Sequence, residues 1–223
     1  MVNFGQAIGT ACLAFLATNV DDAFVLVTFF AETASDPNSA LTPWKIVIGQ
    51  YVGFTVIFAI SMIGFVVSLV MPTEPIGFLG LLPIMLGVWK LFDLLLPVAQ
   101  AGDDPDGELA ALRSTKARGY RAILKVALIT LMNGGDNIGT YIPLFSQVNP
   151  PAVIAVYAVV FYIMLGLWCL VGWLLIRQRH VAKLAEKYVA KLIPFLYMGL
   201  GTFIIVESKA YPWSIEKIDT EVV

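Results

Sequence analysis

Charged residues are scarce in this chain of 223 residues: they make up 13% of it, against 59% hydrophobic residues. A water-soluble globule of this size needs far more polar surface, so the composition excludes one and indicates a lipid bilayer as the surrounding solvent. Basic residues are not in excess either, because the formal net charge is -2. Nucleic acid is therefore excluded as a partner, since binding a polyanion requires clustered Lys and Arg.

Cysteines are few, and nucleotide-binding motifs are lacking. The two cysteines, Cys12 and Cys169, both lie in apolar runs, so the sequence predicts neither a disulfide framework nor a paired-thiol zinc site. Without a nucleotide-binding motif, ATP is not the expected energy source. No permanently bound cofactor is expected, and the chain is not expected to be an enzyme.

Long apolar stretches dominate what is present. A helix needs about 20 residues to cross the hydrocarbon of a bilayer, and six stretches reach that length: 4–31, 43–71, 76–97, 121–147, 151–176 and 191–210. We therefore predict an all-α membrane protein of six transmembrane helices. The long polar connection divides it into a first three-helix repeat over 1–97, a linker over 98–120, a second three-helix repeat over 121–213 and a C-terminal tail over 214–223.

The two groups of three spans resemble each other in sequence. When Asp21 is aligned with Asp136, Asp22 meets Asn137. A repeat of three spans is odd-numbered, so its two copies must cross the membrane in opposite directions. The sequence therefore predicts that the six helices form a 3+3 inverted repeat.

Basic residues are unevenly distributed among the predicted loops. Lys and Arg cluster in and beside the 98–120 linker and again between the fifth and sixth spans. Because such loops stay in the cytoplasm, we predict a multi-pass protein of the cell membrane with a cytoplasmic linker. Both termini are then expected outside the cytoplasm.

Acidic residues lie near the middle of two predicted spans, Asp21 and Asp22 in the first and Asp136 in the fourth. Each ionised carboxylate at that depth costs about 2.5–3.5 kcal/mol on insertion scales, so such residues usually have a function. Asn19 lies one turn before Asp22, so their oxygens can converge on one helix face. Asp21 points to another face, and the spacing leaves open which of the two aspartates is the direct ligand.

The fourth predicted span carries two adjacent glycines beside its aspartate. Gly134-Gly135 should weaken the helix, and interrupted helices are how secondary transporters build ion sites at the bilayer midplane. An alternative is a glycine pair that only packs helices, with an aspartate that hydrogen-bonds between them. The predicted cation ligands are Asn19, Asp21, Asp22, Asn133, Asp136 and Asn137. The residues predicted to surround them are Thr18, Gln50, Tyr51, Gly134 and Gly135.

A lysine, Lys90, also lies inside the third predicted span. Asp93 follows it by three residues, a spacing that brings the two side chains together on a helix. We interpret them as a local ion pair whose lysine extends towards the membrane surface, with a gating role as the alternative.

Four segments together resemble the cadmium resistance transporter family of the lysine exporter superfamily. They are Thr18-Asn19-Val20-Asp21-Asp22, Gly49-Gln50-Tyr51-Val52-Gly53-Phe54, Asn133-Gly134-Gly135-Asp136-Asn137 and Tyr141-Ile142-Pro143. The resemblance covers the six spans but neither the linker nor the tail after Trp213. It implies efflux of a divalent heavy metal, with cadmium as the expected substrate and zinc as the alternative. Cys12 is interpreted either as a packing thiol or as a further ligand.

Export of a divalent cation from a negative cell interior requires coupling, so we predict proton antiport through the aspartates. The expected partners are the lipid bilayer, the metal ion and protons, and a homo-oligomer is left open. One alternative function is export of an amino acid or another small solute, as in the wider superfamily. A second is an intramembrane aspartyl protease, although Asn133 stands where the first glycine of that motif belongs.

Overall fold

The computed structural model describes residues 4–35, 41–70, 76–95, 120–148, 151–176 and 179–209. Within these ranges every regular element is a helix. The predicted linker, apart from Tyr120, and the predicted C-terminal tail lie outside the described residues. The helices are α1 (Phe4–Ser35), α2 (Pro43–Ser68), a 3₁₀ helix (Gly77–Gly80) that leads into α3 (Leu81–Leu95), α4 (Tyr120–Asn133), α5 (Gly135–Ser146), α6 (Ala152–Leu175) and α7 (Arg179–Glu207).

Two of the described helices, α2 and α6, are long and apolar enough to cross a membrane. Helix α1 adds a third candidate if its two parts, Phe4–Val20 and Val25–Ala34, form one span, since they are bent by 59° relative to each other. The described helices thus give two or three candidate spans. The full set of six stays a prediction.

Helices α4 and α5 occupy the predicted fourth span in series. They contain 14 and 12 residues, which makes them about 21 Å and 18 Å long, so neither alone crosses about 30 Å of hydrocarbon. Only Gly134 lies between them, with φ -83° and ψ 18°. The predicted interruption of this span is confirmed, and it is a single residue wide.

The last helix begins earlier than the sequence analysis placed it. The predicted sixth span started at residue 191, and the residues before it were assigned to a cytoplasmic loop, whereas α7 begins at Arg179. The assignment of these residues to a loop was wrong because hydropathy locates only the apolar stretch that lipid can surround, while their cytoplasmic location stays a prediction. A helix can continue past that stretch into water, where basic residues cost nothing.

The helices pack in three principal groups: α1 on α6, α2 on both α4 and α5, and α3 on α7. If the first half of the chain is exchanged with the second, α1 changes places with α4–α5, α2 with α6, and α3 with α7. The packing of α1 on α6 then becomes the packing of α4–α5 on α2. The α3–α7 pair becomes itself. These three principal groups are therefore unchanged by the exchange that a two-repeat architecture requires, and the inverted repeat itself stays a prediction.

Glycines allow α2 to lie against α4. A Cβ atom at Gly49 would be 2.6 Å from the Cβ of Val126, and one at Gly53 would be 2.7 Å from the carbonyl oxygen of Ala127. Side chains at these positions would force the two helices apart. Small residues serve this purpose between membrane helices, where dispersion contacts drive association.

The predicted ligands form two groups, which we call the first half-site (Asn19, Asp21 and Asp22) and the second half-site (Asn133, Asp136 and Asn137). A group of fully buried rings fills the centre of the packing beside these half-sites. The Phe161 ring of α6 is its hub, with centroid distances of 4.7–6.1 Å to four other rings. We call this group the aromatic cluster, and its members are Phe15, Phe54, Tyr141, Phe145 and Phe161. It ties α1, α2, α5 and α6 together next to the predicted site.

Candidate metal centre

The bend of α1 lies at the first half-site, between Val20 and Val25, and side-chain hydrogen bonds to backbone carbonyls lie just before it. Thr18 donates from its hydroxyl to the carbonyl oxygen of Ala14 at 3.0 Å, and Asn19 donates from its amide to that of Phe15 at 3.0 Å. The indole of Trp168 on α6 donates to the carbonyl oxygen of Asn19. Side chains that engage helix carbonyls compete with the backbone ladder and bend helices. The three contacts therefore favour a bend directly after Asn19, and one of them comes from α6.

Tyr141 of α5 connects its helix to the first half-site. Its hydroxyl lies 2.7 Å from the hydroxyl of Thr18 and accepts a hydrogen bond from the Asn19 amide at 2.8 Å. Asn19 is fully buried, and its Oδ1 has no hydrogen-bond partner among the described residues. The Asn19 side chain is thus held through its amide nitrogen, while its amide oxygen has no partner among the described residues.

The second connection between the half-sites runs through Asn133, the last residue of α4. Its amide donates a hydrogen bond to Oδ1 of Asp22, which is 3% exposed. The structure therefore brings together two of the predicted ligands that lie far apart in sequence. Asp21 lies on the bent backbone of α1, and its side chain falls outside the described part of the chain.

Asp136 lies in the first turn of α5, where the helix dipole favours a carboxylate. Its Oδ1 accepts a hydrogen bond from the backbone nitrogen of Asn137 at 3.1 Å. Its Oδ2 accepts one from the hydroxyl of Tyr197 on α7 at 2.8 Å, and Nζ of Lys90 on α3 lies 3.4 Å from the same atom. Elements from both halves of the chain therefore converge on this carboxylate.

Two polar side chains beside Asp136 are fully buried without hydrogen-bond partners in the described residues. They are Asn137, through both its amide nitrogen and its amide oxygen, and Thr140 through its hydroxyl. The two residues are three positions apart in α5, so they share a face of the helix. Buried polar groups are almost always paired in folded proteins, and exceptions call for an explanation such as an ion.

The two polar residues of α2 in the predicted surroundings of the site have different positions. Gln50 accepts a hydrogen bond from the hydroxyl of Thr130 at 2.7 Å, one turn before Asn133, so it supports α4 close to where that helix ends. Tyr51 donates to the carbonyl oxygen of Tyr162 on α6 at 3.0 Å. Gln50 is thus placed to orient the half-site, whereas Tyr51 contacts α6.

The types of residue at the centre limit how it could hold a metal. Among the described side chains, no group of three His, Cys, Asp or Glu residues forms a cluster that could bind a metal ion. Cys12 is half-buried with a free thiol and belongs to no such group. A metal at this centre would therefore need amide or hydroxyl oxygens in addition to the carboxylates of Asp22 and Asp136.

Five residues at the centre were not among the predicted site residues: Lys90, Thr140, Tyr141, Trp168 and Tyr197. Tyr141 belongs to the segment Tyr141-Ile142-Pro143, which contributes to the family resemblance. That membership was a signal in the sequence that could have marked Tyr141 as a site residue. Lys90 was interpreted as a partner of Asp93, whose side chain lies outside the described part. Its contact with Asp136 joins residues on different helices, which no local spacing rule can predict.

Comparison with known proteins adds one match. The family model described as cadmium resistance transporter matches residues 15–217. The matched range contains both half-sites and each of the five further residues. No curated protein and no solved structure matches the chain.

Proposed function

Because the chain belongs to the cadmium resistance transporter family, we propose that it is a secondary transporter that exports a divalent metal cation. The hydrogen bond from Asn133 to Asp22 carries the proposal, since it joins the two half-sites. Each half-site adds a buried asparagine oxygen without a partner among the described residues, in Asn19 and Asn137. A buried oxygen of this kind loses its hydration without compensation unless a ligand engages it.

In this proposal the carboxylates provide charge and the asparagines provide neutral oxygens. The Asn133 amide nitrogen is engaged by Asp22, so its oxygen is the atom that would reach the metal. The proposed ligands are Asn19, Asp21, Asp22, Asn133, Asp136 and Asn137. The proposed surrounding residues are Thr18, Gln50, Tyr51, Gly134 and Gly135, and Thr140 is added because its buried hydroxyl is unpaired within the described residues.

Cadmium is the proposed substrate, with zinc as the alternative. Soft ions such as cadmium prefer thiolates, whereas carboxylates and amide carbonyls are harder ligands. A transporter must release its cargo on the far side of the membrane, so its site has to bind the ion without holding it too tightly. Oxygen ligands therefore suit the passage of a soft cation better than thiolates would.

Export of such an ion needs an energy source. Moving one elementary charge against 100 mV costs about 2.3 kcal/mol, so expelling a divalent cation from a negative interior costs roughly twice that. Exchange of two protons for each metal ion removes this electrical cost. Aspartates that bind metal when ionised and release it when protonated supply the exchange sites, so we infer proton antiport.

The proposed architecture is six spans in a 3+3 inverted repeat, with the 98–120 linker in the cytoplasm and both termini outside. The helix pairs support it, because exchanging the halves of the chain maps each pair onto another or onto itself. The helix interruptions support it as well. The bend of α1, between Val20 and Val25, and the break at Gly134 both lie within a few residues of the aspartates that align in the two halves, Asp21 and Asp136.

Proteoliposomes containing the purified full-length protein test this function. An imposed pH gradient should drive cadmium flux, Asp22→Asn or Asp136→Asn should abolish it, and Cys12→Ala should keep most of it. Full transport by both aspartate variants would refute the site. Cadmium flux that ignores the pH gradient would refute the coupling only. Thermal unfolding with cadmium, zinc or magnesium then ranks the substrates, because a ligand of the folded state stabilises it.

A further inference from the structure

The ammonium group of Lys90 lies against a carboxylate that the proposed function makes a metal ligand. Its Nζ is 3.4 Å from Oδ2 of Asp136, and both side chains are partly buried. The same Nζ lies 5.6 Å from the centre of the Tyr197 ring, whose hydroxyl donates to the same Oδ2 at 2.8 Å. A metal ion arriving at this oxygen would meet a positive charge already in place.

The packing of α3 on α7 holds Lys90 on this side of its helix. Gly87, one turn earlier, lies so close to α7 that a Cβ atom there would be 2.7 Å from the carbonyl oxygen of Pro194 and 3.0 Å from the Cβ of Tyr197. Residues three apart share a helix face. Lys90 is therefore on the α7 side of α3, and its ammonium reaches Asp136 rather than extending along lipid to the membrane surface.

We propose that Lys90 is a tethered competitor of the metal, which neutralises Asp136 in the empty transporter and is displaced when a divalent cation binds there. This inference rests on the proposed function of the site. Electrostatic repulsion provides the displacement, because a divalent ion on Asp136 would lie within a few ångströms of the ammonium at low dielectric. The protonation state of Lys90 need not change in this step.

Such an exchange keeps the ionised Asp136 compensated in the states of the transporter that hold neither the metal nor a proton at this carboxylate. A carboxylate without a counter-charge is costly at membrane depth, and Lys90 removes that cost while the site is empty. A competing cation also weakens metal binding, which helps the ion to leave. Lys90 would then set how tightly the site holds its cargo, a role distinct from that of a ligand.

Calorimetric titration of the purified full-length protein with CdCl₂ and ZnCl₂ tests the competition. Lys90→Met removes the charge and keeps the length of the side chain, so it should tighten metal binding by roughly tenfold or more, as expected when a charge-assisted contact no longer has to be broken. Lys191→Met removes an equal charge from an exposed position on α7 and should leave the affinity unchanged. If Lys90 only held the structure of the site, Lys90→Met would weaken metal binding. Tighter binding by this variant therefore supports the competition, and weaker binding contradicts it.

A second measurement uses the wild-type protein and does not depend on how the variant folds. Brief treatment with an amine-reactive anhydride, read out by peptide mass spectrometry, should modify Lys90 more when CdCl₂ is present than in choline chloride of equal ionic strength. Unchanged or lower modification of Lys90, at a cadmium concentration that saturates the titration, would overturn the inference and leave the proposed function standing. If the wild type shows no metal binding at all, the proposed function itself fails, and this inference with it.

Discussion

The adjacent glycines at the break between α4 and α5 should respond in opposite ways to alanine. A Cβ atom at Gly134 would lie 2.2 Å from Cδ1 and 2.9 Å from Cγ1 of Ile57, a fully buried residue of α2. A Cβ atom at Gly135 would meet nothing within 4 Å. The backbone of Gly134, at φ -83° and ψ 18°, is open to any residue. The difference between the two sites is therefore one of packing.

The expected magnitudes follow from that difference. An extra methyl group forced into a well-packed core costs about 1–3 kcal/mol, so Gly134→Ala should lower the stability by that amount. Gly135→Ala adds a residue of better helix propensity and should be neutral or stabilising by up to about 1 kcal/mol. Thermal unfolding in detergent measures both. For a chain of this size, Tm changes by roughly 2–4 °C for each kcal/mol.

A compensating substitution separates packing from other causes. Ile57→Val deletes the Cδ1 atom that lies nearest to the added methyl group and should cost about 0.5–1.5 kcal/mol by itself. In the double variant the new methyl group takes the place of the deleted one. The double variant should therefore lose less stability than the sum of the losses in the two single variants, by about 0.5 kcal/mol or more. Additive effects, or a larger loss at Gly135 than at Gly134, would refute the packing explanation of the break.

Three further predictions concern the site and the topology. Tyr141→Phe removes the buried hydroxyl that hydrogen-bonds both Thr18 and Asn19 and should lower stability by about 1–3 kcal/mol. Tyr162→Phe removes an exposed hydrogen bond with Thr55 and should cost less, so equal losses would contradict this prediction. Thr140→Val should not destabilise the metal-free protein but should reduce the rise in Tm that cadmium produces, and an undiminished rise would exclude Thr140 from the residues that surround the metal. In a cysteine-free background, an impermeant thiol reagent applied to intact cells should label a cysteine at Ser214 and not one at Gly102, and the reverse pattern would refute the orientation.

The helices and the interruption of the fourth span could be predicted because their causes are local. Apolar length marks a helix in lipid, and Gly134 beside a second glycine marks a weak point in one. The bend of α1 could not be predicted in this way. The contact next to the bend, from the indole of Trp168 to the backbone carbonyl of Asn19, comes from another helix, and the separation of these residues in sequence gives no sign of it.

The same limit applies to the site. Composition and spacing made Asp22, Asp136 and the asparagines candidate ligands, since polar residues inside predicted spans stand out against an apolar background, and the structure joins Asp22 to Asn133. They also suggested that Lys90 pairs with its neighbour in sequence, because the i, i+3 rule is the only one that a single helix provides. The contact between Lys90 and Asp136 instead requires α3 to pack on α7 and α5 to bring its first turn beside both. That arrangement is a property of the whole fold.

The buried polar atoms and the aromatic cluster are best understood together. An unsatisfied buried polar group costs about 1–3 kcal/mol, and Asn19, Asn137 and Thr140 each carry at least one such atom among the described residues. Burial of large rings provides a stabilisation that can offset this cost. Tyr141 links the two, because its ring lies 4.7 Å from that of Phe161 while its hydroxyl holds the Asn19 amide. The aromatic packing thus fixes the nitrogen of Asn19 and, with it, the direction of the oxygen proposed as a ligand. A site whose oxygens are held in place before the ion arrives loses less entropy on binding, so the cluster that stabilises the fold also prepares the proposed metal centre.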